Sequence, residues 1–390
     1  MSNYSTAPNV LLRVQYACYL FFGLFISIVV RNALGALLEH IPILQKGCES
    51  LSTGSNKFCI AEVLVYRISF TLSLFFLMHL ITVSDITCCI DDESRVEFQR
   101  RFFFAKTIFL VLTFFATLWI PNSFFAYYAY LCIFGSALFL MFNIVLLVDF
   151  SYQWSDEWAE RAERHPKWMW YLISLTLASY TGGIVFSTLS FIYFVPNSDC
   201  NYNAFAILST VVSALVYTVL SVWIPHGSVV PSGVVFLYSG FIMFTALRTD
   251  KHCNTMSTDD GNTTSFKQML LASIANCFTL GYSVVSAGGS GKAVGLLTGN
   301  EDGDEEPEYS GHISHYMFFY VIMILGSMYL AMLATDWHVS GAGKDTMKHS
   351  MNIAFWVRSS TAWMSILLYV WSLVAPYVCP DRDFGLSVNC

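Results

Sequence analysis

The 390-residue chain is 55% hydrophobic, 12% charged and has a net charge of −7. Soluble domains devote roughly 25% of their residues to charge, so a soluble fold of this size is excluded. The 33 Phe, 21 Tyr and 10 Trp exclude a disordered chain, and a net negative charge with no basic run longer than two residues excludes a nucleic-acid binder. An integral membrane protein remains, consistent with the mean hydropathy of +0.55.

A span needs about 20 apolar residues to cross a hydrocarbon core of about 30 Å. Ten runs qualify, at 14–30, 64–83, 102–120, 124–150, 168–195, 204–224, 234–247, 269–287, 315–335 and 354–378. The expected fold is therefore all-α and polytopic, a single ten-helix transmembrane domain with both termini on one side. The first run has 17 residues and is followed at once by Arg31. That reads as a span and not as a cleaved signal peptide, whose apolar core is roughly 7–15 residues. No Met-Gly myristoylation start and no C-terminal retention signal is present. The second run contains Arg67, one turn past Glu62 and beside Tyr66. A central Arg costs about 2.5–3.5 kcal/mol on insertion scales. Snorkelling to the interface and a buried pairing role both fit it.

The fourth run holds Asn143 and Asp149. Its 25 uncharged residues from 124 to 148 make about 37 Å of helix, long enough to require a tilt. Asp149 is expected at the inner interface, in a structural ion pair with an Arg or Lys. Gly182-Gly183 in the fifth run and Pro231 before the seventh read as interruptions. The seventh run is short unless its helix begins near Val229 and tolerates Pro231. Asn276 in the eighth run and Arg358 in the tenth are further polar residues at depth. An interhelical hydrogen bond of about 0.6 kcal/mol explains each Asn without a function. Arg67, Asn143, Asp149, Asn276 and Arg358 are thus the candidate intramembrane polar or lipid-path residues.

With the N-terminus inside, Arg95, Arg100, Arg101, Arg161, Arg164 and Lys167 fall in inner loops, as the positive-inside tendency favours. Cys48, Cys59, Cys200 and Cys253 then share the outer or lumenal side, where disulfides form. The acceptor Asn262-Thr263-Thr264 lies there too. The expected pairs are Cys48 with Cys59 and Cys200 with Cys253, and other pairings stay open by sequence. Cys88-Cys89 at the inner end of the second span suit palmitoylation or simple packing.

Two glycine-rich segments approach a phosphate loop and miss it. Lys292 is followed by Ala293, with Ser286 in place of the first Gly, and Lys344 is followed by Asp345. A Walker A loop needs Ser or Thr after that Lys. No HExxH zinc motif and no paired-cysteine motif occurs, so neither a metal nor a cofactor is expected. No catalytic constellation is present, and the chain is not expected to be an enzyme. The acidic run 301–306 belongs to a flexible, solvated inner loop, 288–314.

Several segments together resemble one family, the serine incorporators (Serinc, or TMS membrane proteins). The C-terminal part carries Trp356-Val357-Arg358, Ser360, Trp363, Leu368-Tyr369-Val370-Trp371-Ser372-Leu373-Val374-Ala375-Pro376 and Pro380-Asp381-Arg382-Asp383-Phe384. Earlier come Tyr66-Arg67-Ile68-Ser69-Phe70, Phe134-Gly135-Ser136, Leu146-Leu147-Val148-Asp149-Phe150, Leu237-Tyr238, Cys253-Asn254 and Ser327-Met328-Tyr329. The chain departs from the family in lacking a cysteine-rich stretch before the first span. It also has a changed lead into the ninth, and Asn143 where a Gln is common.

The resemblance implies two helical subdomains crossed by a long tilted fourth helix near 124–150. It implies a link to serine use in phosphatidylserine and sphingolipid synthesis, and for some members ATP-independent lipid scrambling or reduced retrovirus infectivity. The implied partners are phospholipids, sphingolipids, serine and lipid-synthesising enzymes, with a homo-oligomer compatible. The implied location is the plasma membrane or an endomembrane. A secondary transporter of serine and a scaffold for lipid enzymes are the alternatives.

Overall fold

A computed structural model describes residues 10–31, 56–84, 98–99, 101–197, 199–224, 227–249, 253–255, 310–335, 337 and 344–378. The expectations at Cys48, Cys88, Cys89, Asn262, Asn276 and the run 269–287 lie outside them, as does the side chain of Cys59. Among the described residues there are nine helices: α1 (Val10–Val29), α2 (Asn56–Val83), α3 (Phe103–Thr117), α4 (Asn122–Arg164), α5 (Lys167–Phe194), α6 (Asn201–Trp223), α7 (Val229–Leu247), α8 (Ser310–Ala334) and α9 (Lys344–Val378). No strand occurs among them. The seven helices α2 and α4 to α9 are long and apolar enough to cross a membrane, and α1 and α3 are apolar over shorter lengths.

Three local readings change. The segment after the fourth run, expected as an inner loop, is helical to Arg164, because α4 continues that far and reaches 43 residues. Its polar end is held by i,i+4 pairs, Glu157 with Arg161 and Glu160 with Arg164, which support an exposed helix. Aromatic contacts tie that end to the start of α5, with Trp154 and Trp158 rings 4.7 Å apart and Trp158 and Trp168 rings 5.7 Å apart. Residues 310–314, expected to be part of a flexible loop, belong to α8, which begins at Ser310. Gly182-Gly183 do not interrupt α5, which runs unbroken through both. Pro231 sits in the first turn of α7, where its missing N–H would have no helical partner.

Packing divides the chain into two compact units. One comprises residues 1–143 and 263–350, the other residues 144–262 and 351–390. In the first, α2 packs against α8, α1 against both, and α3 against α2. Its core includes Leu20, Leu24, Phe75, Phe76, Phe319, Ile322 and Leu330.

In the second unit, α7 packs on α5 and α6. The buried positions Asn203, Ile207, Thr210, Ala214, Tyr217 and Ser221 of α6 recur every three or four residues, the period of one helix face. Ala362, Ile366, Tyr369 and Leu373 of α9 repeat the pattern and join the same core.

The α5–α7 contact is close because small residues line it. A Cβ at Gly233 would lie 3.0 Å from the Tyr180 ring and 3.3 Å from Ser179, and one at Gly240 would lie 3.5 Å from the Gly183 carbonyl. A Cβ at Gly183 would overlap the Phe236 ring. Hydrocarbon offers no hydrophobic drive between helices, so such van der Waals fit supplies much of the association. Cys200 and Cys253 form a disulfide with Cα atoms 6.1 Å apart. It ties the N-cap of α6 to the segment following α7.

Replacing Gly183 by Leu should overpack this contact and destabilise the protein by about 1–3 kcal/mol. Thermal unfolding of purified protein would register a lower midpoint, while Gly182→Ala, which meets only the flexible end of Leu237, should be milder.

Candidate functional site

The polar side chains at depth meet four kinds of partner. Arg67 is 1% exposed and does not snorkel. Its Nη1 donates to the Thr117 carbonyl, and its Nη2 donates to the Ile120 carbonyl at 2.8 Å and to Asn122 Oδ1 at 2.7 Å. The guanidinium carbon lies 4.5 Å from the centre of the Phe125 ring. These acceptors are the last turn of α3 and the turn into α4. The last four carbonyls of a helix have no helical partner, and the helix dipole places partial negative charge there. Arg67 meets both conditions with one planar fork.

Two further arginines repeat the arrangement. Arg31 donates to the Ala334 carbonyl at the end of α8, 2.6 Å away. Arg358 donates to the Thr245 carbonyl near the end of α7, 2.9 Å away. The backbone N–H groups of Arg248 and Thr249 go to Phe244 and Ala246, which leaves Thr245 for Arg358.

Lys106, four residues into an apolar run, was not singled out by sequence. It is 6% exposed, and its Nζ donates to Tyr16 OH at 3.1 Å and to the Phe98 and Gln99 carbonyls at 2.9 Å each. Tyr320 donates to Gln99 Oε1 at 2.6 Å, and Gln99 Nε2 donates to Thr82 at 3.1 Å. Side chains from α2, α3 and α8 thus converge on two residues ahead of α3, and Tyr16 of α1 joins them through Lys106.

A hydroxyl cluster fills the middle of the first unit. Ser69 and Ser73 of α2 each lie 3.0 Å from Tyr128 OH on α4. Ser69 donates to the Ser327 carbonyl at 2.7 Å, and Ser73 and Ser327 hydroxyls are 2.5 Å apart. The sequence signal was a Ser pair at i,i+4 within an apolar span, the spacing that puts both on one helix face.

The remaining expectations are less convergent. Asn143 is buried, at the residue where α4 passes from the first unit into the second. Asp149 accepts a hydrogen bond from Gln153 one turn on, at 3.0 Å, and Asn143 and Asp149 are not brought together with Arg67. One face of α5 is exposed along nearly its whole length. Its exposed face carries Ser174, Thr181 and Thr188. Seven-residue spacing places these almost one above another, about 10.5 Å apart. The Thr181 and Thr188 hydroxyls donate to the Leu177 and Ile184 carbonyls, at 2.7 and 2.8 Å.

Apolar helices of spanning length, with cations on helix ends and hydroxyls between helices, define an integral multi-pass membrane protein. A family model described as "Serine incorporator (Serinc)" matches residues 2–310 and 297–382. The chain is 28% identical over 421 residues to a probable serine incorporator of Nematostella vectensis, across 96% of this chain and 91% of that protein. It is 27% identical over 450 residues to serine incorporator 3 of Bos taurus, across 98% and 94%. Serine incorporator 5 of Danio rerio is 25% identical over 405 residues, across 89% and 86%. The chain belongs to the Serinc family.

Replacing Arg67 by Met should strip the Ile120 carbonyl of its Arg67 bond and leave the Thr117 carbonyl with the Ile120 N–H as its partner, a loss of about 1–3 kcal/mol. Arg67→Lys keeps the charge without the fork and should fall between. Unfolding midpoints of the three proteins in one detergent would give that order.

Proposed function

We propose that this protein is a non-enzymatic lipid-handling membrane protein of serine-incorporator type. It eases phospholipid passage between leaflets without ATP and facilitates serine incorporation into phosphatidylserine and sphingolipids. The observation that carries the reading is the exposed hydroxyl line Ser174, Thr181, Thr188 on α5. A head group cannot shed its hydration into hydrocarbon without replacement partners. Three hydroxyls over about 21 Å of helix offer such partners at successive depths on a surface that lipid tails can touch. Each threonine hydroxyl rests on its own helix's carbonyl, so it is satisfied when no lipid is present. Its oxygen can still accept from a head-group ammonium.

The reading includes ten spans, the described helices with 269–287 as the other, and a tilted fourth span. It includes two helical subdomains, both termini cytoplasmic, and a plasma-membrane or endomembrane location. Its partners are phospholipids, sphingolipids, serine and lipid-synthesising enzymes. Family membership supports it, together with the lack in the sequence of a nucleotide-binding loop to drive transport.

Purified protein in liposomes with fluorescent phospholipids should expose inner-leaflet probe to an outside quencher without ATP or an ion gradient. Replacing Ser174 by Ala and Thr181 and Thr188 by Val should slow this several-fold at unchanged thermal stability. Arg358→Lys should slow it little, because Arg358 serves a helix end. Quenching no faster than in protein-free vesicles, for every common head group, would overturn the lipid-passage reading.

A further inference from the structure

The first unit buries two ionisable side chains that the lipid-handling reading does not use, His79 of α2 and Lys106 of α3. His79 is 5% exposed. Its Nδ1 lies 2.8 Å from the Phe75 carbonyl. A carbonyl only accepts, so Nδ1 carries a proton. Nε2 is buried and closes no hydrogen bond with a described residue. A charged ring would need an acceptor there, so the ring is neutral, with its lone pair on Nε2. Four aromatic rings surround it, with centres at 4.4 Å for Phe75, 5.5 Å for Tyr16, 5.6 Å for Tyr320 and 6.4 Å for Phe98.

Among the described residues, Lys106 is the charged side chain whose field reaches the ring. Its ammonium has three N–H donors, and they go to Tyr16 and to the Phe98 and Gln99 carbonyls. Gln99 is tied in turn to Thr82 of α2 and Tyr320 of α8, and Thr82 donates to the His79 carbonyl at 2.7 Å. Together these bonds hold the chain in a bend at the start of α3. Its N-cap, Phe102, has a φ of 63°, a left-handed conformation that is strained for a residue with a Cβ. The bend therefore depends on the bonds that fasten it.

The titratable groups facing His79 are Tyr16 of α1, Lys106 of α3 and Tyr320 of α8, with Tyr316 beside the two tyrosines. None of them is a carboxylate. A proton added at Nε2 makes a second cation near the ammonium, in a site with no anion among these groups to offset it. We propose that His79 and Lys106 form a proton-operated latch: beside a neutral His79 the Lys106 ammonium fastens Phe98 and Gln99 at the entry of α3, and a proton on His79 releases them. Once released, the ring meets water and takes its proton near the ordinary value of about 6.5. Because the proton binds the released form, acid shifts the balance towards that form as pH falls below about 6.5, and the latched form prevails above it. The latch is separate from the hydroxyl line on α5, and its failure would leave that reading intact.

The test is hydrogen exchange of the purified full chain in detergent, read by mass spectrometry at pH 7.5 and pH 5.5 and corrected for the intrinsic pH dependence of exchange. Protection of peptides within 98–110 should fall about tenfold at pH 5.5, the gain given by a proton that binds near pH 6.5 when the pH is one unit lower. Peptides of α6 in the second unit should keep their protection. His79→Phe keeps a ring among the aromatic residues but takes no proton, so its 98–110 peptides should stay protected at both pH values. His79→Asn retains an amide donor for the Phe75 carbonyl and should behave alike. Lys106→Met should lose protection already at pH 7.5, because the fastening itself is gone. Four results would each overturn the latch: wild-type protection that is equal at both pH values, an acid loss spread equally over α6, an acid loss as large in both His79 variants as in wild type, or a Lys106→Met protein as protected as wild type at pH 7.5.

Discussion

The ends of helices govern how this protein handles charge. A helix leaves its last four carbonyls without partners, and near hydrocarbon no water is at hand to take them. Three arginines answer that need. Arg67 serves the end of α3, Arg31 the end of α8 and Arg358 the end of α7. Each cation is costly in a membrane on its own, and each carbonyl end is costly on its own. Placed together, each offsets the other, and the helix dipole adds to the attraction. Lys106 extends the principle to the Phe98 and Gln99 carbonyls.

The hydroxyl groups follow a different rule. Ser and Thr hydroxyls inside spans mostly donate to the carbonyl three or four residues back, as Thr71, Ser136 and Thr210 do. This satisfies them locally and frees their oxygens as acceptors. Where helices meet, as at Ser69, Ser73, Tyr128 and Ser327, the same groups link α2, α4 and α8. Where a helix faces outward, as on α5, they form polar points on an apolar surface. One residue type therefore supports packing in the interior and leaves acceptors along the exposed surface of α5.

Legibility in the sequence varied with the range of the interaction. The apolar helices were readable because hydrocarbon thickness sets their length, and the described helices coincide with nine of the ten apolar runs to within about ten residues at each end, except that α4 runs on to Arg164, 14 residues past its run. The polar extension of α4 was readable in principle from Glu157, Arg161, Glu160 and Arg164 at i,i+4, although charge density suggested a loop. Gly182-Gly183 suggested a break because glycine lowers helix propensity. Packing of α5 against Phe236 and Leu237 of α7 overrides that propensity. Arg67 was visible as an anomaly, but its partners were not. They are backbone carbonyls 50 and 53 residues away, and a carbonyl carries no residue code.

The sequence by itself determined a membrane-spanning, all-helical chain of this family. Apolar length, charge scarcity and the ordered motifs are all local or linear properties. Only the tertiary structure decided which polar groups meet. It assigned the arginines to helix ends, brought hydroxyls of α5, α6, α7 and α9 together, and bore out the expected pairing of Cys200 with Cys253 over the pairings left open. The physical reason is that these contacts are short-ranged in space and long-ranged in sequence. Their partners are fixed by how helix faces and ends come together, which residue order along one chain does not record.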